Sequence, residues 1–195
     1  MTKRMEQKEQ RRILILESAL DLFIRKGYGE TKIVDIAKTA DMSIGLLFHY
    51  FDSKEKLYEE LIRIGSKKLK MEFAFSDDAP LTFFRAAAED IFQIISANPV
   101  AAKMFVLMES AQHLDSLSPD VKEMLSEADK LIKKSVPIIE KGQLLGEIKA
   151  GNPETLSIAF WCSLQGIAQY IALNPEVPCP EADWIVSVLE KKENG

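Results

Sequence analysis

The chain has 195 residues, of which 47% are hydrophobic and 28% are charged, a composition typical of a globular protein. Its apolar runs are interrupted every few residues, so the sequence predicts neither a signal peptide nor a membrane span. The two cysteines, Cys162 and Cys179, lack the spacing of a zinc site or of a redox motif. We expect both to be reduced core thiols of a cytoplasmic protein.

The net charge of −5 is divided unevenly along the chain. Residues 1–57 carry a charge of +2, whereas residues 58–195 carry −7. A basic end on an acidic body is compatible with an anionic partner at that end, and equally with chance. The placement of individual side chains is therefore more informative than the total.

The first predicted helix has an amphipathic stripe and a defined end. Apolar residues recur at positions i, i+3, i+4 and i+7, which are Leu16, Ala19, Leu20 and Phe23. Arg25 and Lys26 follow, cations that suit the negative end of a helix, and Gly27 then suits a left-handed cap. The helix is therefore predicted to end at Gly27.

Two short helices joined by a tight turn are predicted next. Thr31 is expected to cap a helix over residues 32–40, and Ser43 to cap the helix that follows the turn at Asp41. Aspartate suits this turn because it enters the left-handed region more readily than most residues. Ala37 supplies a small residue where the helices cross, and Leu47 supplies the apolar anchor ten residues later. This spacing predicts a helix-turn-helix unit.

The stretch from about Arg12 to Leu61 resembles the N-terminal DNA-binding domain of the TetR family of bacterial transcriptional regulators. The resemblance is carried by the residues ILESALDLFIRKGYGETKIVDIAKTADMSIGLLFHYFDSKEKL. A weaker likeness to the family's ligand-binding domain is carried by IIEKGQLLGEIKAGNPETLSIAF. The resemblance implies an all-α fold of about nine helices, with a helix-turn-helix domain at residues 1–54 and a helical ligand-binding and dimerisation domain at residues 55–195.

The resemblance also implies that the third helix enters the major groove of double-stranded DNA. The residues expected to contact DNA are Thr31, Lys32, Ser43, Ile44, Gly45, Leu46, Phe48, His49, Tyr50 and Lys54. By position, Tyr50 and Lys54 match phosphate-contacting residues of the family, and Leu47 and Phe51 are expected in the core. Because the base-reading turn at residues 44–46 cannot make a bidentate hydrogen bond, we expect sequence readout through thymine methyls, His49 and DNA shape.

Beyond residue 57 the sequence predicts a bundle of helices whose boundaries are set mainly by proline. The fourth helix is expected to end near Phe75, and further helices are expected to begin at Pro80, Pro99, Pro119 and Pro153. The end of the helix that begins at Pro119 is expected to be loosened by Gly142 and Gly146, and a last helix is expected from Pro180 to Lys192.

The segment LSIAFWCSLQGIAQYIAL is apolar on nearly every side and is expected to be covered all round. Its track of small residues consists of Ala159, Ser163 and Gly166. One interpretation is a central helix of the monomer. The other, favoured by the resemblance, is a homodimer interface formed by the last two helices, including Trp184, Val188 and Leu189.

Several helices of this body are rich in phenylalanine and methionine, which indicates either core packing or an apolar ligand site. The residues expected to bind ligand are Phe92, Met104, Phe105, Met108, Glu109, Phe160, Trp161 and Gln165. A Glu109 that points inward would favour a lipophilic cation, and an exposed Glu109 would favour an acyl or other neutral apolar ligand.

The sequence therefore predicts a ligand-responsive transcriptional regulator, specifically a repressor, that binds a palindromic operator as a dimer and is released by a hydrophobic small-molecule inducer. The alternative is a helix-turn-helix protein that is controlled by a protein partner or acts structurally, without an inducer. We expect no enzymatic activity, metal ion or cofactor, because the sequence offers no nucleophile, acid–base pair or ligand cluster with suitable spacing.

Overall fold

A computed structural model describes residues 3–68, 79–112 and 114–191, and this part of the chain is all-α. Its only β-type pairing is one antiparallel bridge between Ile148 and Glu190. The helices are α1 (Lys3–Glu30), α2 (Ile33–Thr39), α3 (Ile44–Tyr50), α4 (Lys54–Lys68), α5 (Pro80–Ala97), α6 (Pro99–Ala111), α7 (Pro119–Leu125), α8 (Glu127–Leu145), α9 (Pro153–Leu173) and α10 (Ala182–Val186).

The chain divides into two compact units. The first comprises residues 1–68 and 106–125, and the second comprises residues 69–105 and 126–195. The functional boundary predicted after residue 54 stays a prediction; by packing, α4 and α7 lie with the helix-turn-helix in the first unit. The reason is packing: α4 lies against α1 and α7, so that its apolar face is buried within this unit.

The core of the first unit is the one predicted from the stripe of α1. Ala19, Leu20 and Phe23 are buried, and the helix is interrupted at Gly27, whose φ of 79° is positive as expected. Tyr58 of α4 packs edge-on against Phe23, and the two ring centroids are 4.9 Å apart. Its hydroxyl donates to the carbonyl oxygen of Leu107, so this buried polar group is satisfied.

The turn between α2 and α3 has the geometry that the sequence predicts. Asp41 has a φ of 52° and is the one non-glycine residue with a positive φ in the described part of the chain. Ala37 and Leu47 are buried on either side of the turn, and Ser43 caps α3 by accepting a hydrogen bond from the backbone N–H of Leu46. The helix-turn-helix is therefore confirmed in its small, turn and anchor positions and in the cap of α3.

Proline and asparagine set the helix starts of the second unit. Pro80, Pro99 and Pro153 each begin a helix as predicted, and Asn152 caps α9 by accepting from the backbone N–H of Thr155. The helix predicted to open at Pro119 is instead two segments, α7 and α8, which are separated at Ser126. The fourth helix is described only to Lys68, and the predicted extension to Phe75 lies outside the described residues.

The last predicted helix is much shorter in the structure. Only Ala182–Val186 is helical, and the following residues turn so that Leu189 and Glu147 can accept backbone hydrogen bonds from Lys149 and Lys191. The β-type pairing thus satisfies backbone groups that a longer helix would have satisfied internally. Val186 and Leu189 are both fully buried in this arrangement.

Helix α9 is the apolar helix singled out in the sequence. With 21 residues and a mean hydropathy of 1.4, it is long and apolar enough to cross a membrane, contrary to the expectation that no segment would be. It packs against α5, α8 and α10, and Phe160 and Leu164 are buried there, as in a core helix. Cys162, expected in the core, is exposed on the opposite side of α9.

Candidate DNA-binding surface

The exposed face of α3 explains the aromatic run in its sequence. Leu47 points into the core, while Ile44 and Phe48 are 41% and 45% exposed and His49 is exposed as well. Neither Ile44 nor Phe48 belongs to the buried core of the first unit. Leu46 and Tyr50 lie at the margins of the face and are half-buried.

Gly45 lies on the same exposed face, one residue into the helix. A Cβ atom built at this position would meet no heavy atom within 4 Å, and the residue does not have a positive φ. Neither packing nor backbone conformation therefore requires glycine here. The missing side chain leaves the backbone of α3 open to close approach from outside.

The start of α2 differs from the prediction at one residue. Thr31 was expected to cap α2 and face a phosphate, but it is 1% exposed and its hydroxyl lies 2.7 Å from the carbonyl oxygen of Gly27. The hydroxyl is directed to α1 because the interruption of the helix at Gly27 leaves backbone carbonyl oxygens without helical partners. Lys32 occupies the cap position of α2, and its side chain is exposed. The expectation that Thr31 caps α2 is therefore wrong, whereas its contact with DNA stays a prediction.

Lys54, at the start of α4, is held in place by the end of α1. Its ammonium donates to the carbonyl oxygens of Tyr28 and Thr31, at 2.8 and 2.9 Å, and lies 4.2 Å from the centroid of the Tyr28 ring. An ammonium has three donors, so two are used internally and one is left for a further acceptor. The hydroxyl of Tyr28 in turn donates to Glu55 at 2.9 Å. Sequence reasoning identified Lys54 but not this bracing.

A shallow depression next to α3 joins the end of α1 with the starts of α2 and α4. It is lined by Gly29, Thr31, Lys32, Ile33, Phe48, Ser53 and Lys54. Ser53 caps α4 by accepting from the backbone N–H of Lys56. Two lysines, the exposed Phe48 ring and the start of α4 thus share one concave surface, which is favourable for an anion.

A buried carboxylate that the sequence did not reveal fastens α4 to α7. Glu59 is 3% exposed and accepts hydrogen bonds from the ammonium of Lys56 and from the backbone N–H of Ser118, both at 3.0 Å. Burial alone would raise the pKa of Glu59, but these hydrogen bonds outweigh it and lower the pKa. Arg63 lies 3.6 Å from the same carboxylate and donates to Asp120 at 2.7 Å. No local sequence pattern relates residues this far apart.

The predicted ligand-binding residues occupy two different environments. Phe92, Met104, Phe160 and Trp161 are buried in the second unit, where Phe160 packs edge-on against Phe84 with centroids 4.8 Å apart. Beside them, the Trp161 indole N–H lies 3.0 Å from the hydroxyl of Ser135. The half-buried residues of the set are Phe105, Met108, Glu109 and Gln165, and of these Met108 and Glu109 belong to the first unit. Their predicted role in ligand binding stays a prediction.

The exposed side of α9 forms an uncharged surface on the second unit. Its exposed residues recur every three or four positions, as on one helix face, and are Ile158, Cys162, Gly166, Tyr170 and Leu173. Trp184 of α10 is 63% exposed. Leu189, predicted to contact a partner subunit, is fully buried because the short α10 turns it into the core, so it is not available to a partner.

The comparisons with known proteins agree with this geometry. The family of bacterial regulatory proteins called tetR matches residues 15–61, the range that contains the helix-turn-helix. The chain is 30% identical over 164 residues to the HTH-type transcriptional regulator RutR of Escherichia coli (strain K12), covering 80% of this chain and 73% of RutR. It is 25% identical over 185 residues to the uncharacterized HTH-type transcriptional regulator YhgD of Bacillus subtilis (strain 168), covering 92% and 93% of the two chains.

A solved structure shares the fold along nearly the whole chain. AibR, crystallised in complex with isovaleryl coenzyme A and operator DNA, superposes with a TM-score of 0.66 at 18% identity and covers 92% of this chain and 98% of AibR. The helix-turn-helix geometry, the matching range and the extent of the similarity to RutR lead to one conclusion. This protein belongs to the TetR family of bacterial transcriptional regulators.

Proposed function

We propose that this regulator acts in the cytoplasm as a homodimeric repressor that binds a palindromic operator and is released by a hydrophobic small molecule. The observation that carries the proposal is the exposed face of α3, where apolar and aromatic side chains are held outward by a fully buried anchor, Leu47. A major groove is wide enough to admit such a helix, and the groove offers thymine methyls to these side chains.

Base recognition is proposed for the exposed residues of α3. Ile44 and Phe48 are suited to contact thymine methyls, and the open backbone at Gly45 allows the start of the helix to approach base edges closely. His49 is the exposed group of this face that can both donate and accept a hydrogen bond, so it is expected to select among bases. Ser43 is used as a cap and contributes through the backbone.

Phosphate contacts are proposed for the cations and the hydroxyl around this face. Lys32 is exposed, and the third donor of the Lys54 ammonium is available for a phosphate oxygen. Within the described part of the chain, no group hydrogen-bonds the hydroxyl of Tyr50, which makes it a further phosphate donor. The bracing of Lys54 by α1 reduces the conformational entropy lost on binding.

Dimerisation is proposed through the uncharged face of α9 with Trp184 of α10. An exposed apolar face of this kind marks a protein interface, and close approach of two helices is favoured by a small residue at the contact. Gly166 fits that role, since a Cβ atom there would meet nothing within 4 Å in the monomer. Cys162, one turn away, gives a test: it should react slowly with a maleimide in the dimer and quickly after substitution of Ile158 by Asp.

An apolar inducer is proposed for the second unit because its aromatic cluster lies beside polar groups. The hydroxyls of Ser135 and Ser157 are 2.7 Å apart and fully buried, next to Trp161. Such a mixture of aromatic walls and few polar groups suits a largely hydrophobic ligand with one or two polar atoms. The presence of an acyl coenzyme A together with operator DNA in AibR supports a ligand-controlled function of this kind.

Two experiments test the proposal. Duplexes selected from a random pool should converge on one sequence, and His49→Ala should change the bases preferred at one position of each half-site. Operator release is then measured with lipophilic cations, fatty acyl compounds and neutral apolar molecules, using the wild type and Glu109→Gln. Release by cations that is lost in Glu109→Gln would instead place the ligand beside this carboxylate in the first unit, and not in the aromatic cluster of the second unit. If no compound releases the operator, control by a protein partner or a structural role is favoured instead.

A further inference from the structure

The N-terminal part of α1 is an exposed arm that precedes the buried core of the first unit. From Lys3 to Leu14 every residue is exposed except the half-buried Arg12, and the first buried residue is Ile15. At 1.5 Å per residue these twelve residues extend about 18 Å beyond the core. They also precede the range matched by the family, which begins at residue 15.

The arm carries a row of cations on one side. Arg4, Lys8, Arg11 and Ile15 follow the spacing i, i+4, i+7 and i+11, so their side chains share one face of the helix. Ile15 points into the core of the first unit. The three cations therefore lie on the same side of α1 as Ile15, on the part of the helix that extends past the core. Among the described residues, no carboxylate lies within ion-pair distance of these three cations.

The base of this basic row is attached next to the end of α3. The guanidinium of Arg12 pairs with Glu60 of α4 and lies 5.6 Å from the centroid of the Phe51 ring. Phe51 is the cap residue at the C-terminal end of α3. The row therefore begins beside the proposed recognition helix. The protein as a whole is acidic, with a sequence pI of about 5.2.

We propose that the basic row of Arg4, Lys8 and Arg11 binds phosphates of the DNA backbone that flank the half-site read by α3. The inference rests on the proposed operator binding and extends it. Unneutralised cations that are regularly spaced along one face of a helix suit a DNA backbone, which presents one phosphate every 1.7 Å or so of helix axis. The arm widens the contact without reading sequence, because phosphates carry no base information.

The salt dependence of operator binding measures this contact. Each neutralised phosphate adds about 0.9 to the slope of log K against log salt, so three contacts in each of two subunits would add about 5. The test variant combines Arg4→Gln, Lys8→Gln and Arg11→Gln, which keeps helix propensity. The control combines Lys133→Gln, Lys141→Gln and Lys191→Gln, exposed lysines of the second unit, and changes the net charge equally.

We expect the test variant to have a slope shallower than that of the control by at least about two units, with the same selected sequence and a shorter hydroxyl-radical footprint at both ends. A smaller difference in salt slope overturns the inference. If the test variant instead loses binding to phosphatidylglycerol vesicles while its salt slope is unchanged, the inference is also overturned and a membrane surface is the partner. In these cases operator binding by the wild type still stands. If the wild type selects no operator, the proposed function and this inference both fail.

Discussion

Replacing Gly45 by Ala separates the requirements of folding from those of DNA binding. In the free protein the added Cβ meets no atom within 4 Å, and the residue does not need a positive φ, so the substitution has no steric cost. Alanine is favoured over glycine inside a helix by about 0.5–1 kcal/mol, and the lower figure applies near the start of a short helix. We therefore expect a melting temperature that rises by about 1–2 °C.

The same methyl group should weaken operator binding. If the backbone of α3 approaches a base edge at Gly45, the methyl displaces one contact in each half-site at a cost of about 1 kcal/mol, or about 2 kcal/mol for the dimer. That corresponds to a Kd about 30-fold higher, measured by fluorescence anisotropy on the selected operator. A variant that melts at a higher temperature and binds with an unchanged Kd would refute the close approach of Gly45 to DNA.

Three further substitutions test other parts of the account. Lys54→Ala should flatten the salt slope of operator binding by about one unit for each subunit. It should also lower the unfolding free energy by about 1–2 kcal/mol, because two carbonyl oxygens lose their donor. An unchanged melting curve would contradict the bracing of Lys54. Glu59→Gln should make denaturant unfolding less sensitive to acid. Since the native pKa of Glu59 is lowered, its stabilisation is complete above its ordinary value of 4.5 and is lost as the pH falls through the native pKa; equal pH profiles would count against it. Ile158→Asp should give monomers in sedimentation and Ile13→Asp, an equally exposed position of α1, should not.

The helix-turn-helix could be predicted because its determinants are local. The positive φ at Asp41, the cap at Ser43 and the buried anchor at Leu47 each follow from the residue and its immediate neighbours. The helix starts of the second unit were equally predictable, since proline at the first helical position depends only on its own ring and missing N–H. Local rules therefore gave the fold class and the face of α3 that points outward.

The differences arise where tertiary contacts decide. The Thr31 hydroxyl turns inward because the break at Gly27 leaves acceptors that only the folded turn brings close. Glu59 and Ser118 meet only once α4 and α7 pack together, so no sequence pattern reveals their hydrogen bond. The end of α10 is set by its pairing with residues 147–149, a contact made 40 residues away in sequence.

The arrangement of half-sites in the selected operator tests the central claim most directly. If α3 is the recognition helix of a dimer, selection should recover an inverted repeat whose half-sites are centred about one helical turn apart, roughly 34 Å or slightly more. Sedimentation of the complex should show an even number of subunits for each duplex, and the footprint should be symmetric about the repeat. A single unrepeated site, or a stable monomer that binds the operator as tightly as the dimer, would contradict the account.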